Sequence, residues 1–214
     1  MSIPSKTRLF IIRHAETDKN SFKLKKKSNK IVTQTAIDDD TEIDLSSSLF
    51  FEKNCKLNRN GKIQSAILAD YFDSIDHNIC AIYTSPLIRA FETADVILRR
   101  IAENYDVDFY ADDRLFGRTN IMSANKYKDN NENLINDVKQ LFAEIIDMYK
   151  GDDVVLITHN HIFGIIYKLL VDSENTDKSK YKVDNCAMSC LEFTNDEFNV
   201  LYWGKKIKVT FALV

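Results

Sequence analysis

Glycine and proline are scarce in this 214-residue chain, at 5 and 2 residues, so the few that occur mark places where the backbone or a helix start requires them. Cysteine is too scattered to staple or to chelate. Cys55, Cys80, Cys186 and Cys190 show no CxxC spacing and no neighbouring histidine, which points to reduced structural thiols and no zinc site. No window approaches the roughly 18 apolar residues of a membrane span, and no N-terminal run has signal-peptide character. The expectation is a soluble cytoplasmic protein with no membrane partner. Positive charge is not in excess either: 29 Lys and Arg against 32 Asp and Glu leave a formal net charge of −3. Neutralising many phosphates needs a surplus of cations, so no nucleic-acid partner is expected and any positive patch must be local.

What the chain does have is apolar mass. Hydrophobic residues make up 44% and phenylalanine alone contributes 13 positions, enough to fill a sizeable core without disulfides or metals. The length and the lack of internal repeats suit one α/β domain spanning 1–214.

The apolar runs alternate between strand-like and helix-like periods. Leu9 to Ile12 is a short continuous apolar run of the kind covered on both faces of a sheet, and it delivers Arg13 and His14. A charged stretch follows, with Lys23, Lys25, Lys26, Lys27 and Lys30 ahead of Asp38, Asp39, Asp40, Glu42 and Asp44. It reads as a long loop at about 21–56.

From Asn58, a plausible cap, Ile63, Ala66, Ile67 and Tyr71 fall at helical spacing, with His77 expected on the surface beyond that helix. Ile79 to Tyr83 form a second strand. Ser85 and Pro86 then read as an N-cap and first helical position, with Arg89 in the first turn and Ala90, Ala94, Ile97, Leu98 and Ile101 along one face. Val107, Phe109 and Ala111 suggest a short strand ending in Asp112 and Asp113. Leu134, Val138, Leu141, Phe142, Ile145 and Tyr149 give a helix stopping near Gly151.

Val154 to Ile157 repeat the first pattern, a buried strand that ends in Thr158 and His159, with a helix after it that His161 helps to start. The remaining apolar positions, up to Val209 and Phe211, suggest two or three antiparallel strands closing the sheet.

Alternating strands and helices imply a mostly parallel sheet that binds ligands beyond the carboxyl ends of its strands. His14, Ser85, Asp113 and His159 all follow strands at that end. A neutral His14 could attack phosphorus through one ring nitrogen if a carbonyl holds the other as a donor. Arg13 and Arg89 would clamp phosphate oxygens, since planar guanidinium forks match them in pairs. His159 would add a donor, and Asp113 is the candidate acid for the leaving oxygen.

These residues also carry a resemblance. RHAETDKN, from Arg13, resembles the RHGETxxN signature of the histidine phosphatase superfamily, the phosphoglycerate mutase-like proteins. LNRNGKIQSA from Leu57 resembles its LTxxGxxQA segment, YTSPLIRAFETA from Tyr83 its SPLxRAxxTA segment, and LITHN, ending at Asn160, its second-histidine motif. Four motifs in the family's order cover nearly the whole chain. Ala15 and Asn160 stand where the family has glycine.

The resemblance implies a three-layer α/β sandwich, a mostly parallel central sheet with helices on both faces. It implies His14 as the phosphorylated nucleophile, Arg13, Arg89 and His159 as phosphate ligands, and Thr17 and Asn20 as substrate contacts, with no metal or other cofactor. Asp113, four residues before Gly117, takes the place of the family's glutamate acid, while a second alignment on Leu115 and Phe116 puts Gly117 there instead. The implied activity is hydrolysis of a phosphorylated small molecule or phosphoprotein. Mutase-type transfer and a phosphate-binding scaffold are the alternatives, and the span from Asp113 to His159, short for a mutase, favours hydrolysis.

Overall fold

A computed structural model describes residues 5–20, 55–116, 131–174 and 177–208. The charged stretch after Asn20, Gly117 with its neighbours, and Val209 and Phe211 lie outside them, so the expectations placed there carry no structural account.

Among the described residues, six strands form one sheet: β1 (Thr7–Arg13), β2 (Ile79–Thr84), β3 (Asp108–Ala111), β4 (Asp153–Thr158), β5 (Ala187–Thr194) and β6 (Glu197–Lys206), in the order β3-β2-β4-β1-β5-β6. The first four are mutually parallel; β5 runs antiparallel to β1, and β6 antiparallel to β5. The two strands with continuous apolar runs, β1 and β4, lie side by side at the centre. There a strand needs apolar side chains on both faces.

The alternation of β1 assigns its side chains to two cores. Leu9 and Ile11 join Val154 and Leu156 beneath α3 (Asn131–Met148) and α4 (Asn160–Leu170). Phe10 and Ile12 join Val155 and Ile157 beneath α1 (Arg59–Ser74) and α2 (Ile88–Ile101). The fold is therefore the three-layer sandwich expected, with burial of each large aliphatic side chain contributing about 1.5–3 kcal/mol. A one-turn helix, α5 (Lys178–Tyr181), precedes β5.

Local signals explain most element boundaries. The Asn58 side chain accepts the Gly61 N–H at 2.8 Å and starts α1 as a cap should. A Cβ at Gly61 would run into the Glu16 carbonyl oxygen, so the glycine lets α1 press against the chain just past His14. Past α3, Gly151 turns the chain at φ +97°, a left-handed conformation that glycine adopts without strain.

Two expectations are corrected. Ser85 is not the N-cap of α2: the helix starts at Ile88, and its N-cap residue is Leu87, whose own side chain makes no capping bond. The Ser85 Oγ accepts the Leu87 N–H at 3.4 Å and lies 2.9 Å from the His159 ring, and Pro86 occupies the bend before the helix. His77 is not a surface residue but is buried, with its ring between Phe72 and Tyr105 at centroid distances of 6.4 and 4.9 Å. Its Nδ1 accepts the Ile79 N–H at 3.2 Å, so His77 seats the entry into β2.

Candidate active site

The carboxyl ends of β1, β2, β3 and β4 are laced together by the backbone. His14 N–H donates to the Thr158 carbonyl, Ser85 N–H to Ile157, and Asp112 N–H to Thr84, each at 2.9 Å. This lattice places His14, Ser85 and His159 on neighbouring strand ends, and α2 brings Arg89 over them on its buried face.

His14, Arg89 and His159 are all buried. His14 Nδ1 lies 2.8 Å from the Ala15 carbonyl oxygen. Because a carbonyl only accepts, Nδ1 carries the proton and Nε2 presents a lone pair. Arg89 Nε donates to that Nε2 at 3.2 Å, and Arg89 Nη2 stands 3.4 Å from His159 Nδ1. Since guanidinium only donates, His159 carries its proton on Nε2 and offers it to Ser85 Oγ. The two imidazoles sit with centroids 5.0 Å apart, bridged by one guanidinium.

Electrostatics keeps both rings neutral. Burial, then the Arg89 and Arg13 charges, hold His14 well below the usual histidine range, with the Ala15 carbonyl acting against them. His159 is held low by burial and then by His14, Arg89 and Arg13. Burial, with the neighbouring Arg89 adding to it, also pulls Arg13 down to about 10, while Asp184 opposes. Crowding two guanidinium groups around neutral rings favours whatever anion enters between them.

Arg13 ends β1 directly before His14, its charge acts on the His14 ring, and its Nη1 donates to the Val183 carbonyl at 2.8 Å. Thr17 and Asn20 bond to each other, the Thr17 hydroxyl donating to Asn20 Oδ1 at 2.9 Å. Asn185 Nδ2 reaches that same oxygen at 3.4 Å and donates to the His14 carbonyl at 2.9 Å. Asp113 opens a short 3-10 turn (Asp113–Leu115) directly after β3, at the same end of the sheet but exposed. Among the described residues, its carboxylate takes no part in the hydrogen bonds that join the cluster.

Asn185 carried no signal in the sequence. It lies 171 positions from His14, and only the antiparallel return of β5 reveals the pair. Gln64 and Thr93 fell inside recognised motifs, but no chemistry was assigned to them. A cavity of about 970 Å³ opens at the opposite end of the sheet, among Thr7, Phe142, Ile146 and Phe193, away from the histidines. Among the described residues, no group of three or more His, Cys, Asp or Glu side chains could hold a metal ion. None of their helices is long and apolar enough to cross a membrane.

The pattern of the histidine phosphatase superfamily (branch 1) matches residues 40–206. The chain belongs to that superfamily. The match begins after Arg13 and His14, so for this histidine phosphatase-superfamily chain it is the geometry that brings the first motif to the second. No curated protein matches it by sequence. Among solved structures, it is similar to a phosphoserine phosphatase from Entamoeba histolytica, in complex with 3-phosphoglyceric acid. The two share 18% identity over 93% of this chain and 97% of the other, with a TM-score of 0.63. A phosphoglycerate mutase from Bacillus anthracis is similar at 15% identity, 95% of each chain and a TM-score of 0.62. Mycobacterial hydrolase 1 shares 17% identity, over 94% of this chain and 99% of the other, again at 0.62. At such identities the likeness establishes the fold, which is phosphoglycerate mutase-like.

Proposed function

We propose that this chain is a metal-independent phosphatase that hydrolyses phosphomonoesters through a phosphohistidine on His14. The observation that carries the reading is the proton arrangement around His14: Nδ1–H tied to the Ala15 carbonyl, and the Nε2 lone pair turned toward the Arg89 fork. A phosphate seated on Arg89 would draw the Nε–H away from His14 Nε2 and free that lone pair for attack on phosphorus.

In the first step His14 Nε2 attacks phosphorus and the bond to the ester oxygen breaks. Arg13 and Arg89 hold the other phosphate oxygens, His159 joins them by turning its Nε2–H from Ser85 Oγ to one of these oxygens, and the guanidinium charges offset negative charge in the transition state. Asp113 supplies the proton to the leaving oxygen. In the second step water attacks phosphorus and gives a proton to the Asp113 carboxylate, the P–N bond breaks, and inorganic phosphate leaves with His14 neutral and Asp113 protonated again. Thr17 and Asn20 border the site through the Asn185 network. Small phosphorylated carboxylates are the first substrates to test, since the Entamoeba phosphoserine phosphatase structures hold phosphoserine and 3-phosphoglyceric acid. Phosphoproteins and mutase-type transfer to a second hydroxyl complete the panel.

The test is hydrolysis of an aryl and an alkyl phosphate in EDTA by wild type, His14→Ala and Asp113→Asn. His14→Ala is expected to abolish turnover of both, and activity that survives it refutes the mechanism. Asp113→Asn is expected to slow the alkyl ester more than the aryl ester, whose leaving group needs less help from an acid. The exposure of Asp113 favours one competing reading, a phosphate-binding protein. Tight binding of phosphate or vanadate with no turnover of any ester is the outcome that supports it.

A further inference from the structure

The two amides that follow His14 are each claimed by a side chain from a different helix. The Ala15 N–H donates to Thr93 Oγ1 on α2 at 3.0 Å, and the Glu16 N–H donates to Gln64 Oε1 on α1 at 2.9 Å. The second of these belongs to the same peptide group whose carbonyl, that of Ala15, accepts the His14 Nδ1–H at 2.8 Å. A continuous line therefore runs from the His14 ring through one peptide to Gln64. Drawing the N–H end of a peptide into a hydrogen bond makes its carbonyl a better acceptor.

Thr93 has an ordinary explanation that must be weighed. A threonine inside a helix commonly bonds back to the carbonyl four residues earlier, and Thr93 does so, its hydroxyl donating to the Arg89 carbonyl at 2.7 Å. That bond accounts for the hydroxyl proton but not for its lone pair, which faces the Ala15 N–H. Both Thr93 and Ala15 are fully buried, so loss of the hydroxyl leaves that amide without water to replace it. The one hydroxyl thus joins the turn carrying Arg89 to the segment carrying His14.

We propose that Gln64 and Thr93 are positioning residues that, together with the Arg89 Nε–H donated to Nε2, keep the His14 proton on Nδ1 by clamping the two consecutive amides after it. Their role deepens the phosphatase reading and rests on it for its catalytic consequence. With both clamps in place, the Ala15 carbonyl stays aimed at Nδ1 and the nucleophilic lone pair stays on Nε2. With either removed, the peptide rotates, the ring drifts off the Arg89 Nε–H that holds Nε2 as an acceptor, and the Nε2–H tautomer, which has no lone pair to offer phosphorus, gains population.

The experiment is nitrogen-15 NMR of histidine-labelled protein without ligand, joined to steady-state kinetics and phosphate binding, for Thr93→Val, Thr93→Ser and Gln64→Met. Wild type is expected to show His14 with a protonated Nδ1 and an unprotonated Nε2. Thr93→Val and Gln64→Met are expected to mix the tautomers and to lower kcat by about tenfold, with the Kd for inorganic phosphate within twofold of wild type. Thr93→Ser keeps the hydroxyl and is expected to restore both. Unchanged tautomers and kcat in the Val and Met variants overturn the proposal, as does a Ser variant no better than Val. A phosphate Kd that worsens in step with kcat overturns it too, because it marks general damage to the site. The tautomer is read in the unliganded protein. If wild type shows no His14-dependent turnover, the phosphatase reading fails while the NMR result still decides this one.

Discussion

Replacing Arg89 by lysine keeps the charge and removes the fork, and the geometry says what that costs. The guanidinium serves both rings at once, with Nε 3.2 Å from His14 Nε2 and Nη2 3.4 Å from His159 Nδ1. An ammonium is a point donor on a flexible stem and cannot reproduce two fixed, parallel N–H directions. On a bound phosphate this removes one charge-assisted hydrogen bond, about 1.5–3 kcal/mol. The expected result is a phosphate Kd weaker by roughly 10- to 150-fold.

Titration calorimetry of Arg89→Lys with inorganic phosphate at fixed ionic strength measures this, beside Arg100→Lys as a control. Arg100 is a surface residue that reaches Asp70 at 3.4 Å and Asp73 at 3.2 Å, and its lysine variant is expected to bind phosphate normally. Circular dichroism confirms that both variants fold. An Arg89→Lys protein that binds phosphate within threefold of wild type would refute the idea that planar two-point recognition holds the anion.

Buried neutral histidines also predict how stability depends on pH. His14 and His159 have folded values below their unfolded value of about 6.5, so the unfolded chain takes up protons first. Stability is then full above pH 6.5 and falls as the pH drops toward the folded values, by about 1.4 kcal/mol per ring for each pH unit below 6.5. Urea midpoints at pH 8 and pH 5.5 that coincide would contradict this. Gly61→Ala is expected to destabilise by about 1–3 kcal/mol, because the added Cβ meets backbone at Glu16 that cannot swing aside; an unmoved urea midpoint counts against the close contact. Ser85→Ala leaves the His159 Nε2–H without its acceptor in a buried site, at a cost of about 1–3 kcal/mol. A midpoint equal to that of wild type would show that another group accepts this proton.

Much of the fold was legible because its signals are local. β1 and β4 declared themselves as short apolar runs that only a strand covered on both faces can use, and the Asn58 cap needed only the three residues after it. The histidines and Arg89 were legible because strand ends converge in a parallel sheet. What the sequence concealed depends on partners far along the chain. Ser85 looked like the cap of α2, but the helix starts only at Ile88 and the Ser85 hydroxyl meets His159, 74 positions away. His77 looked exposed because the helical pattern stops before it, and its burial comes from Tyr105 on a separate segment. Asn185 is invisible until β5 returns beside β1.

The anchoring of His14 has a kinetic consequence. Its N–H is held by Thr158, its carbonyl by Asn185 and its ring by Arg89, three segments that meet only when β4, β5 and α2 have all docked on β1. Contacts of such long sequence separation form late, after the chain has met the entropy of closing large loops. A partly folded chain can hold native-like helices and still have no aimed His14 ring. Recovery of a His14-dependent activity during refolding should therefore track the last phase of assembly, making the site a reporter of the completed sheet.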